Sequence, residues 1–241
     1  MSRIQSFERS IARSRASLTR EDRPETFTLC GREWDLLDEV FAPVYSPSTG
    51  IALEFLGLNH EPPLPHSGSF LEVGCGTGVI AVMAALAGYE RVVASDISPR
   101  AVENAAVNAE RHGVTGRFRA VHSDLFSGLD DGQRFDTVFW SSNYVLGPEQ
   151  YEYKSVHEQA YVDAGYRTHR RYLEQVLNRL APGGSALLHF SNRGDEATLH
   201  RIAEECGREL RTVRADTVRE GEYGDDSVTH MLLQIVPAAT V

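Results

Sequence analysis

The stretch "FLEVGCGTGVI", residues 70–80, decides how this chain is read. An apolar run meets an acid, Glu72, and then glycines take alternate positions at Gly74, Gly76 and Gly78. A strand gains no packing from three missing side chains, so the backbone here must turn sharply or come close to something. "SFLEV" before it reads as a strand, and "GVIAVMAALAG" after it reads as a helix.

The same alternation continues downstream. "RVVASD", "GRFRAVHSD", "FDTVFWSS" and "SALLHFSN" read as strands. "SPRAVENAAVNAERHG" reads as a helix capped by Ser98 with Pro99 at its first position. "RTHRRYLEQVLNRLAPGG", closed by Pro and Gly, and "DEATLHRIAEECG" read as two more helices. "LRTVRADTV" and "VTHMLLQIV" have only a polar, glycine-containing loop between them and read as an antiparallel hairpin. Strands alternating with helices imply a doubly wound, mostly parallel α/β sheet, Rossmann-like, with helices on both faces. Upstream, residues 1–25 read as an amphipathic helix carrying Ile4, Phe7 and Ile11, and 27–38 as a small hairpin. A further helix starts at Ser48 or Thr49 as N-cap, and "NHEPPLPHSG" (59–68) is a connector. The organisation expected is an N-terminal extension, 1–68, acting as a cap, and a catalytic domain, 69–241, interrupted by an insertion at 144–172.

Composition narrows the classes. The chain has 241 residues, a net charge of −10 and 24% charged residues. An acidic balance argues against a nucleic-acid groove, which needs a basic stripe. Cys30, Cys75 and Cys206 are odd in number and widely spaced, which fits neither a disulfide framework nor a zinc site. Asp130-Asp131 reads as a surface turn, so no metal is expected. No apolar run reaches the ~18 residues of a membrane span. The Arg- and Ser-rich start is read as a helix rather than a transit peptide, which places the protein in the cytoplasm.

Ligands of open parallel sheets bind at strand carboxyl ends where strand order reverses. The pattern here is G-x-G-x-G, not the G-x-G-x-x-G of dinucleotide enzymes. Glu72 just ahead of it would repel a pyrophosphate and suits a ligand carrying ammonium and sulfonium charges. Asp96 ends the next strand 20 residues after Gly76, where an acid accepts from a ribose diol. Asp124 ends the third strand and could reach an adenine amino group.

With these residues the chain resembles the class I S-adenosylmethionine-dependent methyltransferases, over roughly residues 70–190. The resemblance implies a seven-stranded sheet with a terminal β-hairpin and S-adenosyl-L-methionine as cofactor. It implies Gly74, Gly76 and Gly78 along the methionyl part and Glu72 near its amino group. Asp96 would hold the ribose, Asp124 and Leu125 the adenine edge, and Ile97 the adenine face. Cys75 would be a small spacer in the loop. More narrowly, "GREWDLLDEVFAPVYSPSTGIALEFL" and "DISPRAVENAAVNAERHG" resemble the release-factor glutamine (HemK-type) methyltransferases. Their hallmark Asn-Pro-Pro-Tyr reads here Ser141-Ser142-Asn143-Tyr144, with only the tyrosine in place. Ser141, Asn143 and Tyr144 are the candidate catalytic residues, with Ser141 also on the cofactor.

Six of the nine tyrosines, Tyr144, Tyr151, Tyr153, Tyr161, Tyr166 and Tyr172, fall at 144–172. They could close over a sulfonium by cation–π attraction, or form a contact that makes a homodimer. His157, His169 and His189 are candidate bases. The acidic surface and tyrosine-rich lid point to methyl transfer onto a small-molecule substrate of secondary metabolism, with no nucleic acid and no membrane. Two other readings stay open. One is cyclisation of S-adenosylmethionine to azetidine-2-carboxylate and methylthioadenosine; the other is a non-catalytic cofactor-binding protein.

Overall fold

A computed structural model describes residues 5–60, 66–220 and 226–239. Ile4, the 61–65 part of the proline-rich connector and the 221–225 loop of the final hairpin lie outside the described residues. Helix α1 (Phe7–Thr19) is capped by Ser6, whose Oγ accepts the Arg9 N–H. Strands β1 (Thr26–Leu29) and β2 (Arg32–Asp35) pair as an antiparallel hairpin. A 3-10 turn, Pro43–Tyr45, leads to α2 (Ser48–Phe55). Its N-cap is Pro47 with no side-chain bond, not the serine or threonine expected.

The alternating region follows as β3 (Ser69–Val73), α3 (Val79–Leu86), β4 (Arg91–Asp96), α4 (Pro99–Arg111), β5 (Phe118–His122) and β6 (Phe135–Ser141). The insertion carries the short parallel pair β7 (Leu146–Gly147) and β8 (Asp163–Ala164). Then come α5 (Arg167–Gln175), β9 (Leu180–Ser191), α6 (Glu196–Glu205), β10 (Arg208–Glu220) and β11 (Asp226–Pro237). Ser98 caps α4 through its Oγ and Pro99 opens it, as its sequence implies.

Seven strands form one sheet in the order β10-β11-β9-β6-β3-β4-β5. Only β11 runs against its neighbours, so the sheet is mostly parallel with a C-terminal antiparallel hairpin. The chain builds outward from β3 to β5 and then returns to the other side of β3 with β6, so strand order reverses at β3. Both faces of the sheet are covered. Phe70 packs with α2, α3 and α4, while its neighbour Leu71 packs with α5 and α6 on the opposite face.

Two local outcomes differ from the sequence reading. The helix expected to run to Gly184 ends at Gln175, passes through a 3-10 turn, and β9 begins at Leu180. Pro182, Gly183 and Gly184 sit inside that strand, where its register slips against β6. A Cβ on Gly184 would lie 2.8 Å from the Phe135 carbonyl oxygen, so the two strands touch there through bare backbone. Residues of the N-terminal extension share the core of the sheet: Phe27, Trp34 and Leu36 cluster with Phe70, Val79 and Ala105. The buried amides of Asn104 and Asn108 on α4 bind it in place, accepting from Leu37 N–H and Asp35 N–H and donating to the Asp35 carbonyl.

Candidate active site

The turn after β3 lies where strand order reverses, and a cavity of about 270 Å³ opens above it. Its floor is Gly74, Cys75 and Gly76, and its sides are Asp96–Ser98, Asp124 with Leu125, and Trp140–Val145. The insertion contributes His157 and Tyr161, and the extension contributes Ser10, Arg13 and Phe41.

The loop is held by the acids around it. Asp96 accepts the Gly76 N–H at 2.9 Å on one carboxylate oxygen and the Ser98 N–H at 2.8 Å on the other. Burial raises its pKa, and those N–H groups oppose the rise. Glu72 is buried and accepts the Ala81 N–H at 2.9 Å, so its carboxyl sits on the N-terminal turn of α3 while also lining the cavity. Burial pushes its pKa well above the ordinary range, Ala81 N–H pulls it back, and the Asp96 charge adds to the rise. A cationic group placed beside it would relieve that penalty. Cys75 is buried, and burial with the Asp96 and Glu72 charges drives its thiol pKa up, so it is no thiolate nucleophile.

Gly76 and Gly78 divide in role. A Cβ on Gly76 would meet no atom and would enter the cavity. A Cβ on Gly78 would lie 2.6 Å from the Ala105 Cβ, so Gly78 serves helix packing and does not line the cavity, contrary to the expectation. Both backbones are left-handed, φ +52° and +77°. Ile97 lines the wall, and its carbonyl meets His122 Nε2 at 3.0 Å. Asp124 also lines it but is engaged by Arg171 at 2.9 and 3.2 Å, a partner absent from the sequence reading. Leu125 beside it is buried, with a left-handed φ of 52°.

Ser141, Ser142, Asn143 and Tyr144 all border the cavity. Ser141 Oγ lies 3.0 Å from His189 Nδ1, and Ser142 bonds to the His189 carbonyl through both its N–H and its Oγ. Asn143 donates its amide NH₂ to the carbonyls of Gln159, at 2.7 Å, and Val162, at 3.1 Å. Two carbonyl partners fix the amide's orientation, which leaves its Oδ1 buried and without a partner. The tyrosines separate. Tyr144 and Tyr161 line the cavity, but Tyr166 and Tyr172 are wholly buried in the core beneath the sheet. Tyr151 and Tyr153 brace the insertion through Glu158 and the Val162 carbonyl, so six tyrosines do not form one aromatic box. His157 faces the cavity with Nδ1 on Ser14 Oγ at 2.7 Å, and burial lowers its pKa to about 4. His169 instead holds Asp163 under Trp140, away from the cavity.

Residues 70–184 match the family described as "Methyltransferase domain". The chain belongs to the class I S-adenosylmethionine-dependent methyltransferases. The chain is 30% identical over 135 residues to a protein of Methanocaldococcus jannaschii named as a protein N5-glutamine methyltransferase, covering 55% of this chain and 66% of that one. It is 43% identical over 72 residues to a ribosomal protein L11 methyltransferase of Dechloromonas aromatica, covering 30% of this chain and 23% of that one. The fold superimposes with a TM-score of 0.58 on the tRNA m1G37 methyltransferase of M. jannaschii, at 12% identity, over 89% of this chain and 57% of that one. The chain spans only a quarter or less of three of the curated relatives it matches.

S-adenosylmethionine is the cofactor of this family, and the residues present fit it. The penalised carboxyl of Glu72 suits its ammonium, the open face of Gly76 leaves room for it, and Asp96 has lone pairs left for a diol. Two expectations are corrected. A small-molecule acceptor, with nucleic acid excluded, does not stand: the sequence relatives are named for protein methylation and the fold is shared with a tRNA enzyme. Net charge is a sum over the whole chain and carries no information about which acceptor a site takes. Arg9, Arg13, Arg20, Arg193 and Arg219, together with Glu54, Glu220 and Asp226, line a second hollow that shares Gln5, Arg13, Pro43 and Ser46 with the cavity. Cyclisation of the cofactor is also set aside. The relatives are named as methyltransferases.

Proposed function

We propose that this chain transfers a methyl group from S-adenosylmethionine to a side-chain nitrogen of a protein. The observation that carries the reading is Asn143. Asn143 borders the cavity, and its Oδ1 is a buried hydrogen-bond acceptor without a partner. Such an atom costs ~1–3 kcal/mol until a donor reaches it, and an N–H of the acceptor group would supply one. The insertion holds the asparagine rigid through Gln159 and Val162, a positioning that the lost prolines would otherwise give. The protein-modifying relatives favour the same class of acceptor.

The bound cofactor supplies a methyl group already activated on a sulfonium. The chain's own work is binding, orientation and exclusion of water. Glu72, Gly74, Gly76, Asp96 and Leu125 would seat it, with Cys75 and Ile97 as walls. Asp124 would reach it once Arg171 yields. Asn143 would hold the nitrogen, with Ser141 and Tyr144 beside it, and residues 1–68 would cap the cavity. A cytoplasmic location is part of this reading; no described helix is long and apolar enough to cross a membrane.

The test is transfer of radiolabelled methyl from S-adenosylmethionine into a bacterial lysate. Label should survive ribonuclease, vanish with protease, and be located by mass spectrometry on a nitrogen-bearing side chain. Label carried by RNA, or by small molecules alone, would overturn the reading.

A further inference from the structure

Behind Ser141 stands a file of buried polar side chains that the proposed methyl transfer has not used. Ser141 Oγ meets His189 Nδ1 at 3.0 Å, His189 Nε2 meets His230 Nδ1 at 3.0 Å, and His230 Nε2 meets Glu220 Oε1 at 2.7 Å. Both histidines are fully buried and Glu220 is 7% exposed. The sheet itself aligns them. Ser141 on β6 pairs with His189 on β9; His230 on β11 pairs with Ser191, two residues along; Asp216 on β10 pairs with His230, and Glu220 is four further on. Even offsets keep all four on one face of four adjacent strands. At one end Ser141 lines the cavity; at the other, Glu220 and Arg193 line the second hollow.

We propose that Ser141, His189, His230 and Glu220 form a proton-exit relay, which carries the proton lost by the methylated nitrogen from the cavity to the second hollow. It rests on the methyl-transfer reading above. The direction follows from the carboxylate. Ionised Glu220 can only accept, so a neutral His230 carries its proton on Nε2 and leaves Nδ1 bare. His189 must then donate from Nε2 and leave its own Nδ1 bare. Ser141 donates its O–H to that nitrogen, and its Oγ lone pairs are left for a donor in the cavity. The N–H proton of the methylated nitrogen passes to Ser141 Oγ as the Ser141 proton moves to His189 Nδ1. The His189 Nε2 proton moves to His230 Nδ1, and the His230 Nε2 proton to Glu220. Each bond made matches one broken, and one proton has moved.

The surroundings suit passage rather than storage. Burial, and then the neighbouring His230, lower the pKa of His189 to about 3, so a proton does not rest there. Burial pushes Glu220 up, but the His230 hydrogen bond and the charges of Arg193 and Arg13 outweigh it and hold it below the usual carboxylate range. Arg193 Nη1 lies 3.0 Å from Glu220 Oε2 and also pairs with Asp226. Among the described residues, rings pack on the two histidines: Phe55 against His189 and Tyr144 against His230. The four groups lie in a line instead of converging, so they do not describe a metal site.

Two measurements test this. Long-range proton–nitrogen NMR on the wild-type protein with S-adenosylhomocysteine, assigned with His230→Phe, should show both His189 and His230 as neutral Nε2–H tautomers at pH 7. An Nδ1–H tautomer of His189, or either ring as imidazolium, would overturn the relay whatever the enzyme methylates. Kinetics on the protein acceptor labelled above supply the second. A positioned acid–base group contributes about 10²–10⁴-fold, so Ser141→Val should lower kcat at least tenfold relative to Ser141→Thr, its isostere with a hydroxyl. Glu220→Gln should lower kcat about tenfold with S-adenosylhomocysteine affinity unchanged by calorimetry. Equal kcat for the Thr and Val variants, or an unaffected Glu220→Gln, would overturn it. Absence of any labelled protein would count against the function reading instead.

Discussion

Gly76 and Gly78 sit two residues apart with similar backbones, yet they should fail differently. An alanine at either position takes a left-handed conformation, at a cost of ~1–2 kcal/mol. At Gly76 nothing stands within 4 Å of the new Cβ, so that strain is the whole cost to the fold. For a chain of this size ~1 kcal/mol lowers Tm by roughly 2–4 °C, so Gly76→Ala should melt roughly 2–8 °C lower. At Gly78 the Cβ would stand 2.6 Å from the Ala105 Cβ and 2.7 Å from its Cα. Overpacking of that kind adds ~1–3 kcal/mol, so Gly78→Ala should melt roughly 4–20 °C lower. S-adenosylhomocysteine at 100 times its Kd contributes ~2.7 kcal/mol of stability, a rise of roughly 5–11 °C in the wild type. Thermal melts with and without the ligand read both effects. Gly76→Ala should lose most of the rise, and Gly78→Ala should keep it from a lower baseline. A full ligand-induced rise in Gly76→Ala would refute the view that this loop lies against the ligand.

Further outcomes follow from single side chains. Burial raises the Glu72 pKa, so the folded state binds that proton more tightly than the unfolded chain and stability falls as pH rises from about 4.3, the free glutamate value. Melts of Glu72→Gln between pH 4.5 and 7 should therefore fall less steeply than those of the wild type, while calorimetry shows weaker S-adenosylhomocysteine binding. Asn143→Asp puts a carboxylate against the Gln159 and Val162 carbonyls that now accept from the amide, so it should lose more turnover than Asn143→Ala. Arg171→Ala breaks a half-exposed ion pair worth ~0–1 kcal/mol; Tm should change little and S-adenosylhomocysteine affinity should not fall.

The alternation after residue 69 was enough to read the sheet, because each strand and helix announces itself locally through period and caps. What escaped depends on partners far along the chain. Gly78 reads as a loop glycine until Ala105, on the next helix, is seen against it. Tyr166 and Tyr172 carry the same composition signal as Tyr144, but only the return of α5 beneath the sheet buries them. Helical spacing in "RTHRRYLEQVLNRLAPGG" continues past Gln175, but the chain passes through a 3-10 turn into a strand that touches Phe135 through the bare backbone of Gly184, a pairing partner that lies far back in the sequence. His189 and His230 are 41 residues apart and meet only across β9 and β11. Asp124 was legible as a strand-end acid, whereas its Arg171 partner left no local mark.

On the proposed function, the cavity above the β3 turn seats S-adenosylmethionine with its sulfur toward Ser141–Tyr144. A crystal structure with S-adenosylhomocysteine tests it most directly. The ribose hydroxyls should lie on the Asp96 carboxylate, the amino group beside Glu72, and the sulfur facing Ser141 and Asn143. A ligand bound elsewhere, or seated in the cavity with its sulfur turned away from Asn143, would contradict it.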